Sequence, residues 1–157
     1  MYERILVPLD GSHTAAIALE HAEALAEKLG SQLVLVRVVH TLADLAPAAT
    51  PSLAQAAISQ DVISRNQSAG EHAEARTYLG TLSDALSRRG VGVETLVREG
   101  SPAEQIIAAA VTSSAKLIVL TAYGAGGAHT RAQRAVYGGV ADEVLRQSRI
   151  PVLLIRP

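Results

Sequence analysis

Short apolar runs alternate with longer, more polar segments along the whole chain. The apolar runs have strand length, and the first is rich enough in branched residues to be buried on both faces. These runs predict strands at residues 5–9, 33–39, 91–97, 117–120 and 152–155. The segments between them predict helices, so strands and helices alternate throughout. This alternation predicts an α/β fold, an open five-stranded parallel sheet of order 3-2-1-4-5 with helices on both faces.

The first two predicted helices have recognisable start and stop signals. Ser12 is a suitable N-cap for the first helix, and Gly30 follows its last apolar position. A loop is expected over residues 40–53, which contain two prolines. Residues 53–89 have a mostly polar, helical pattern that Gly90 ends. We therefore expect a long second helix between strands two and three.

The third and fourth helices begin with different residues. Ser101, Pro102 and Glu104 form the pattern of a capping box with a proline at the first helical position. Gly138 and Gly139 open the fourth helix, where the missing side chains leave the backbone open to a ligand. Backbone N–H groups and the helix dipole favour an anion at such an N-terminus. The sequence thus predicts a candidate anion site at the start of the fourth helix.

Composition narrows the classes of function. The chain has 157 residues, which predicts one domain over residues 1–157. Its formal net charge of −1 argues against a nucleic-acid-binding surface. It has no cysteine, and its histidines lack metal-ligand spacing, so the metal ligands, if any, are unknown. No apolar run has the length of a signal peptide or a membrane span, so we expect a cytoplasmic protein with no membrane partner.

Three loops are predicted to meet at one edge of the sheet. In an open parallel sheet, ligands bind outside the carboxyl ends of the strands, where the strand order reverses. Strands one and four flank that point in the predicted order. The segments concerned are residues 8–12, residues 38–40 and the glycine-rich loop with Gly124 and Gly127 after strand four. Because backbone of this kind can cradle a phosphate, the pattern favours a nucleotide as the ligand.

Four motifs, in this order, resemble the universal stress protein family. They are VPLDGS after strand one, GSPAEQI at the third helix, the glycine-rich loop and the closing PVLLIRP. Together they extend over nearly the whole chain. The resemblance implies an α/β domain that forms a dimer. One group of this family binds ATP or related adenine nucleotides, and the other lacks the binding motif.

The glycine-rich loop departs from the pattern of the ATP-binding group. That pattern is Gly, two residues, Gly, nine residues, Gly, then Ser or Thr. Thr121 stands at the first glycine, Gly124 matches the second and Gly138 the third, with 13 residues between the last two. We prefer this alignment, which implies an insertion of four residues (13 − 9) within residues 128–134. An alternative alignment uses Gly124 and Gly127 and shifts the boundary of strand four.

By resemblance, the site residues come from all three loops. Asp10 would contact the adenosine end of the nucleotide, and Val38 would hydrogen-bond adenine through its backbone. Gly139 replaces the usual Ser or Thr, and Arg131 and Arg134 of the insertion are candidate phosphate contacts in its place. The predicted nucleotide-binding residues are Pro8, Asp10, Gly11, Ser12, Val38, Thr121, Gly124, Gly127, Gly138, Gly139 and Val140.

Other proteins of this topology fit the residues less well. A flavin carrier needs a hydroxyl-rich phosphate loop and aromatic stacking, and the chain has neither Trp nor Phe. A receiver domain needs an acceptor Asp after strand three, where this chain has Arg98 and Glu99. An adenylating enzyme would have a longer glycine-serine loop after strand one than DGSH. A hydrolase of the G-x-S-x-G type is excluded because that motif is missing.

The expected function is the binding of an adenine nucleotide, ATP foremost, with a divalent cation such as Mg²⁺, in a stress-response or regulatory protein. The alternative is a nucleotide-free dimeric stress protein that acts through protein–protein contacts. A homodimer through the edge of strand five is expected, because an apolar edge strand needs to be covered. Efficient catalysis is not expected, since no residue is an obvious base for an attacking water. Slow ATP hydrolysis is the most that the sequence suggests.

Overall fold

Strands and helices alternate from one end of the chain to the other. The computed structural model describes residues 1–40, 57–124 and 138–156, and within residues 57–68 it describes the backbone. The elements are β1 Arg4–Pro8, α1 His13–Leu29, β2 Gln32–Val39, α2 Ala57–Arg88, β3 Val93–Glu99, α3 Pro102–Thr112, β4 Leu117–Thr121, α4 Gly139–Gln147 and β5 Val152–Ile155. The predicted α/β class is confirmed.

The five strands form one parallel sheet in the order β3-β2-β1-β4-β5, which confirms the predicted order 3-2-1-4-5. The ladder between β1 and β2 extends to the last residue of β1, where Pro8 pairs with Val36. The ladder between β1 and β4 ends earlier, at the pair Leu6 and Ile118. The central strands therefore separate toward their carboxyl ends, at the point where the strand order reverses.

Both faces of the sheet are buried, as the apolar first strand predicts. Ile5 and Val7 of β1 pack with α1 and α2 on one face, and Leu6 packs with α3 and α4 on the other. The faces alternate along each strand because successive side chains point to opposite sides. Each face has its own cluster of fully buried aliphatic side chains. Packing on both faces thus holds the central strands in place, and with them the carboxyl ends of these strands.

Both predicted ends of α1 and the predicted C-terminal end of α2 are confirmed. The Ser12 Oγ accepts a hydrogen bond of 3.1 Å from the Ala15 N–H, as an N-cap should. Gly30 ends α1 in the left-handed conformation, with φ of 67°. Gly90 follows α2 with φ of 85°, a conformation that favours glycine.

Two details of the sequence prediction are wrong. Val91 was expected to begin strand three, but β3 begins at Val93. Val91 is buried, and its N–H donates to the Leu86 carbonyl, a bond that closes the end of α2. Ser101 precedes α3 as expected, and Pro102 is the first helical residue, but the Ser101 side chain makes no capping hydrogen bond. The start of α3 therefore depends on its proline and its backbone rather than on a capping box.

Candidate functional site

Asp10 and Gly124 face each other across the opening between β1 and β4. Asp10 is exposed in the turn after β1, and Gly124 is exposed shortly after β4. A Cβ atom added to Gly124 would lie 2.6 Å from the Asp10 Oδ2. The backbone at Gly124 therefore approaches the carboxylate more closely than a residue with a side chain would allow. The fold brings together two residues that the sequence predicted for one site.

The carboxylate of Asp10 is held in a fixed orientation. Its Oδ1 accepts hydrogen bonds from the Ser12 N–H at 2.9 Å and from the Ser12 Oγ at 2.5 Å. Ser12 in turn caps α1 through the Ala15 N–H. Both Oδ1 contacts are local to the turn, as is usual for Asp before a helix. The same residues thus begin α1 and aim the second carboxylate oxygen, Oδ2, toward Gly124.

The peptide groups of Val38 point into the same opening. The Val36 carbonyl accepts a hydrogen bond from the Leu9 N–H at 2.8 Å, so the N–H and C=O of Val36 point toward β1. The N–H and C=O of successive residues in a strand point to alternate sides, so those of Val38, two residues on, point to the same side as those of Val36. At that level β1 has already ended, since its ladder with β2 stops at Val36. The backbone of Val38 is therefore directed at the space beside Asp10.

The start of α4 is fastened to the end of β4. The Gly138 N–H donates to the Ala122 carbonyl at 2.8 Å, and a Cβ added to Gly138 would lie 3.2 Å from that carbonyl oxygen. The Thr121 hydroxyl donates to the Tyr123 carbonyl at 2.8 Å and is buried. Thr121 and Gly138 thus hold the backbone at the site, and the Thr121 hydroxyl and the Gly138 N–H both donate within the protein.

The first N–H groups of α4 open onto this edge of the sheet. The first bond of the helical repeat is from the Asp142 N–H to the Gly138 carbonyl, at 2.9 Å. The N–H groups of Gly139 and Val140 precede it and belong to the donors that a helix N-terminus leaves unsatisfied. Both residues are exposed, and a Cβ added to Gly139 would meet no atom within 4 Å. With the positive end of the helix dipole, these groups suit an anion.

Sequence reasoning missed a basic and aromatic pair, Arg37 and Tyr78, beside the site. The Arg37 guanidinium lies 5.3 Å from the centre of the Tyr78 ring. It also reaches the turn after β1, because a Cβ added to Gly11 would lie 2.7 Å from the Arg37 Nη1. The available signal was a single arginine in an otherwise apolar strand, LVLVRVV.

The environment of Tyr78 reflects this arrangement. Burial raises the pKa of the Tyr78 phenol above its ordinary value. The positive charge of Arg37 opposes that rise, and the negative charge of Asp10 adds to it. The phenol, the guanidinium and the carboxylate are therefore close enough to interact electrostatically. Arg37 therefore links α2 to the turn that carries Asp10.

Other predicted residues have different outcomes. Pro8 ends β1 and is half-buried. Gly127, Arg131 and Arg134 lie outside the described residues.

Across residues 1–40, 57–124 and 138–156, no group of three or more His, Cys, Asp or Glu side chains is arranged to hold a metal. In the same ranges no helix has the length and apolar character needed to cross a membrane.

Known proteins are similar to this chain over nearly its entire length. The chain is 26% identical to universal stress protein MJ0531 of Methanocaldococcus jannaschii, over 99% of this chain and 83% of that protein. It is 28% identical to universal stress protein YxiE of Bacillus subtilis, over 99% of this chain and 100% of that protein.

Solved structures agree with these relatives. The structure of UspA from Lactobacillus plantarum superposes with a TM-score of 0.79 at 25% identity, over 99% of this chain and 98% of that one. The structure of MJ0577 has a TM-score of 0.80 at 23% identity, over 100% of this chain and 97% of that one, and shows the same fold. The profile of the universal stress protein family matches residues 1–156. The chain therefore belongs to the universal stress protein family.

Proposed function

We propose that this universal stress protein binds an adenine nucleotide, ATP foremost, in the opening between β1 and β4. One observation carries the proposal: the Asp10 carboxylate and the Gly124 backbone meet there. The Asp10 Oδ2 lies 2.6 Å from the position that a Cβ atom would have at Gly124. A glycine that allows so close an approach beside a fixed acceptor is typical of a ligand site at the end of parallel strands. The site also has N–H donors at its far side, from the start of α4.

The described groups suit the parts of an adenine nucleotide. The Val38 peptide groups offer one donor and one acceptor to the edge of the base. The Asp10 carboxylate accepts hydrogen bonds and suits the ribose hydroxyls or the amino group of the adenosine end. The N–H groups of Gly139 and Val140 suit the phosphates. The proposed order along the ligand is therefore base at β2, ribose at Asp10 and phosphates at α4.

The phosphate end of the site lacks a hydroxyl group at position 139, and we propose that an arginine replaces it. Gly139 supplies an N–H group but no hydroxyl to a phosphate or its metal. We assign that role to Arg131 or Arg134, since a guanidinium fork matches a phosphate. Gly124 and Gly127 would allow close approach of the phosphates. Mg²⁺, when bound, would be held mainly by phosphate oxygens and water, as it usually is with nucleotides.

A structural relative supports the class of ligand. A universal stress protein solved in complex with cAMP superposes with a TM-score of 0.65 at 20% identity, over 99% of this chain and 97% of that one. That protein holds an adenine nucleotide on the same fold. The cyclic nucleotide therefore belongs among the ligands to be tested. We further propose that the protein is cytoplasmic and forms one domain over residues 1–157. We do not expect it to catalyse a reaction efficiently.

The second candidate is a nucleotide-free dimer that acts through protein contacts. It is favoured by the outer edge of the sheet, where Leu153 of β5 is 37% exposed and its neighbours are half-buried. An apolar edge strand of this kind is a pairing site unless it is covered. Gly139 also favours this candidate, because it weakens the phosphate end. A dimer through β5 is proposed under both candidates, so dimerisation alone does not separate them.

Nucleotide content separates the two candidates. Freshly purified protein would be denatured, and the released small molecules would be identified by mass spectrometry. Calorimetric titration of nucleotide-free protein with ATP, AMP, cAMP, adenosine and GTP would follow, with and without Mg²⁺. Saturable binding of an adenine nucleotide and weaker binding of GTP are expected. Failure of every adenine compound to bind would leave the nucleotide-free dimer as the function.

A further inference from the structure

The guanidinium of Arg37 lies close to both an aromatic ring and a glycine. Its Cζ is 5.3 Å from the centre of the Tyr78 ring, within the range of a cation–π contact. Its Nη1 occupies the space in which a side chain at position 11 would begin, 2.7 Å from an added Cβ. Gly11 has φ of 83°, so it is a left-handed turn residue as well as a residue without a Cβ. The guanidinium is thus packed directly against the turn that follows β1.

Arg37 reaches this turn from the face of the sheet opposite to Val38. It is an odd-numbered residue of β2, like Leu33 and Leu35, which pack with α1 and α2. Val38 packs with the cluster on the other face. Since successive side chains alternate, Arg37 approaches the turn from the α1 and α2 side. Its place is beneath the turn rather than among the N–H groups of α4.

We propose that Arg37 is a positioning residue for the nucleotide site: held by its contact with the Tyr78 ring, it supports the Asp10–Gly11 turn and so sets the position of the Asp10 carboxylate against Gly124. The proposal rests on the proposed function and deepens it. It makes α2, through Tyr78, a part of the site's supporting structure. A flat cation in a fixed place suits this role better than lysine, whose ammonium is compact and mobile.

The role predicts a particular pattern of affinities. Since Asp10 serves the adenosine end, loss of Arg37 should weaken adenosine and ATP by the same factor, roughly fivefold for a partly buried cation–π contact. A direct contact of Arg37 with phosphate would weaken ATP alone. The turn itself should also loosen, so that the Ser12 N–H, which donates to Asp10, exchanges faster with solvent in the free protein.

The experiment compares Arg37→Ala, Arg37→Lys, Tyr78→Leu and Tyr78→Phe with the wild type. Calorimetry gives the affinities for adenosine and ATP, and amide exchange by NMR gives the protection of the Ser12 N–H. We expect losses in Arg37→Ala, Arg37→Lys and Tyr78→Leu, and near-wild-type values in Tyr78→Phe, which keeps the ring. Arg76→Ala, at an exposed position of the same helix, is the matched control and should change neither measurement.

Each outcome decides the proposal. Equal losses for both ligands with faster Ser12 exchange support it. A loss for ATP alone would show a direct phosphate contact and overturn it, as would unchanged affinities in the folded Arg37 variants. If the wild type binds no nucleotide, the proposed function fails separately. The exchange measurement then decides alone. Faster Ser12 exchange in Arg37→Ala would show that Arg37 holds the turn, and unchanged exchange would overturn that role.

Discussion

The Asp10 carboxylate fills the space that a side chain at Gly124 would need. Its Oδ2 lies 2.6 Å from the position of an added Cβ, a distance that real Cβ contacts do not reach. The other carboxylate oxygen is fixed by Ser12, so the group cannot move aside without giving up two hydrogen bonds. Two loops that are far apart in sequence are thereby held together at the carboxyl ends of β1 and β4. This contact is the centre of the proposed nucleotide site.

The first prediction concerns Gly124→Val. The branched side chain would push Asp10 out of place and fill the approach to the site, so ATP and adenosine affinities should fall by at least about tenfold. Calorimetry on the folded variant measures the effect. Gly80→Ala is the control, because a Cβ at Gly80 would meet nothing within 4 Å. Wild-type affinity in Gly124→Val would place the ligand elsewhere.

The second prediction concerns Gly139→Ser. The added side chain has free space, since nothing lies within 4 Å of the Cβ position. A hydroxyl hydrogen-bonded to a charged phosphate is worth about 1.5–3 kcal/mol, so ATP should bind roughly ten- to a hundredfold more tightly. Adenosine has no phosphate and should be unaffected. An equal change for both ligands would mean that residue 139 does not face the phosphates.

A further outcome would assign the phosphate role to the inserted segment. If Gly139→Ser leaves ATP affinity unchanged while Arg131→Ala or Arg134→Ala lowers it strongly, a guanidinium already makes the contact. Calorimetry with Mg²⁺ on all three variants distinguishes the two arrangements.

The third prediction concerns assembly through β5. Leu153→Lys should convert a dimer to a monomer, because a charge on an edge strand opposes pairing. Val152→Lys should also disrupt the dimer, but Val152 packs against the core, so Leu153 is the cleaner position. Thr95→Lys on the opposite edge strand β3 is the control. Sedimentation of the wild type as a monomer at micromolar concentration would rule out the dimer.

The fourth prediction uses two serines that precede helices. Ser12→Ala removes the hydrogen bond that the Ser12 Oγ accepts from the Ala15 N–H and the one that it donates to Asp10, and it should cost about 1–2 kcal/mol of the free energy of unfolding. Ser101→Ala should cost less than about 0.5 kcal/mol, because the Ser101 side chain makes no cap bond. Urea denaturation of both variants gives the comparison. Equal costs would contradict the assignment of the caps.

The fifth prediction concerns the Tyr78 phenol. Burial raises its pKa above the ordinary value of 10.0, so the unfolded chain releases this proton first as pH rises. The stability that the neutral phenol contributes is therefore present below pH 10.0 and lost above it. Denaturation between about pH 9 and about pH 11 should show a steeper loss in the wild type than in Tyr78→Phe. Parallel curves would mean that the phenol is not desolvated in the folded protein.

The order of elements and the sheet topology could be predicted from the sequence, because periodicity and connection rules are local or general. The start of β3 could not. Val91 looks like a strand residue, yet its N–H is used by the Leu86 carbonyl at the end of α2. The capping box at Ser101 is likewise a pattern that the backbone did not need. Both errors occur at element ends, where tertiary contacts override local preference.

The candidate site was predictable only in part. The topology places the Asp10 turn and Gly124 at neighbouring strand ends, and the structure gives the distance between them. The contact of Arg37 with Tyr78 was not predictable, because it joins a strand and a helix that are distant in sequence. An arginine within an apolar strand indicates an unusual environment but does not identify its partner. Side-chain packing across elements has no signature in one sequence.

The most direct test is an NMR titration of ¹⁵N-labelled wild-type protein with ATP and Mg²⁺, with the backbone amides assigned. Saturable shifts are predicted at the amides of Ser12, Gly124 and Gly139, which line the opening at the carboxyl ends of the strands. The amides of Gly30 and Gly90, which precede β2 and β3 at the other end of the sheet, should not shift. No saturable shift, or shifts confined to Gly30 and Gly90, would contradict nucleotide binding at this site.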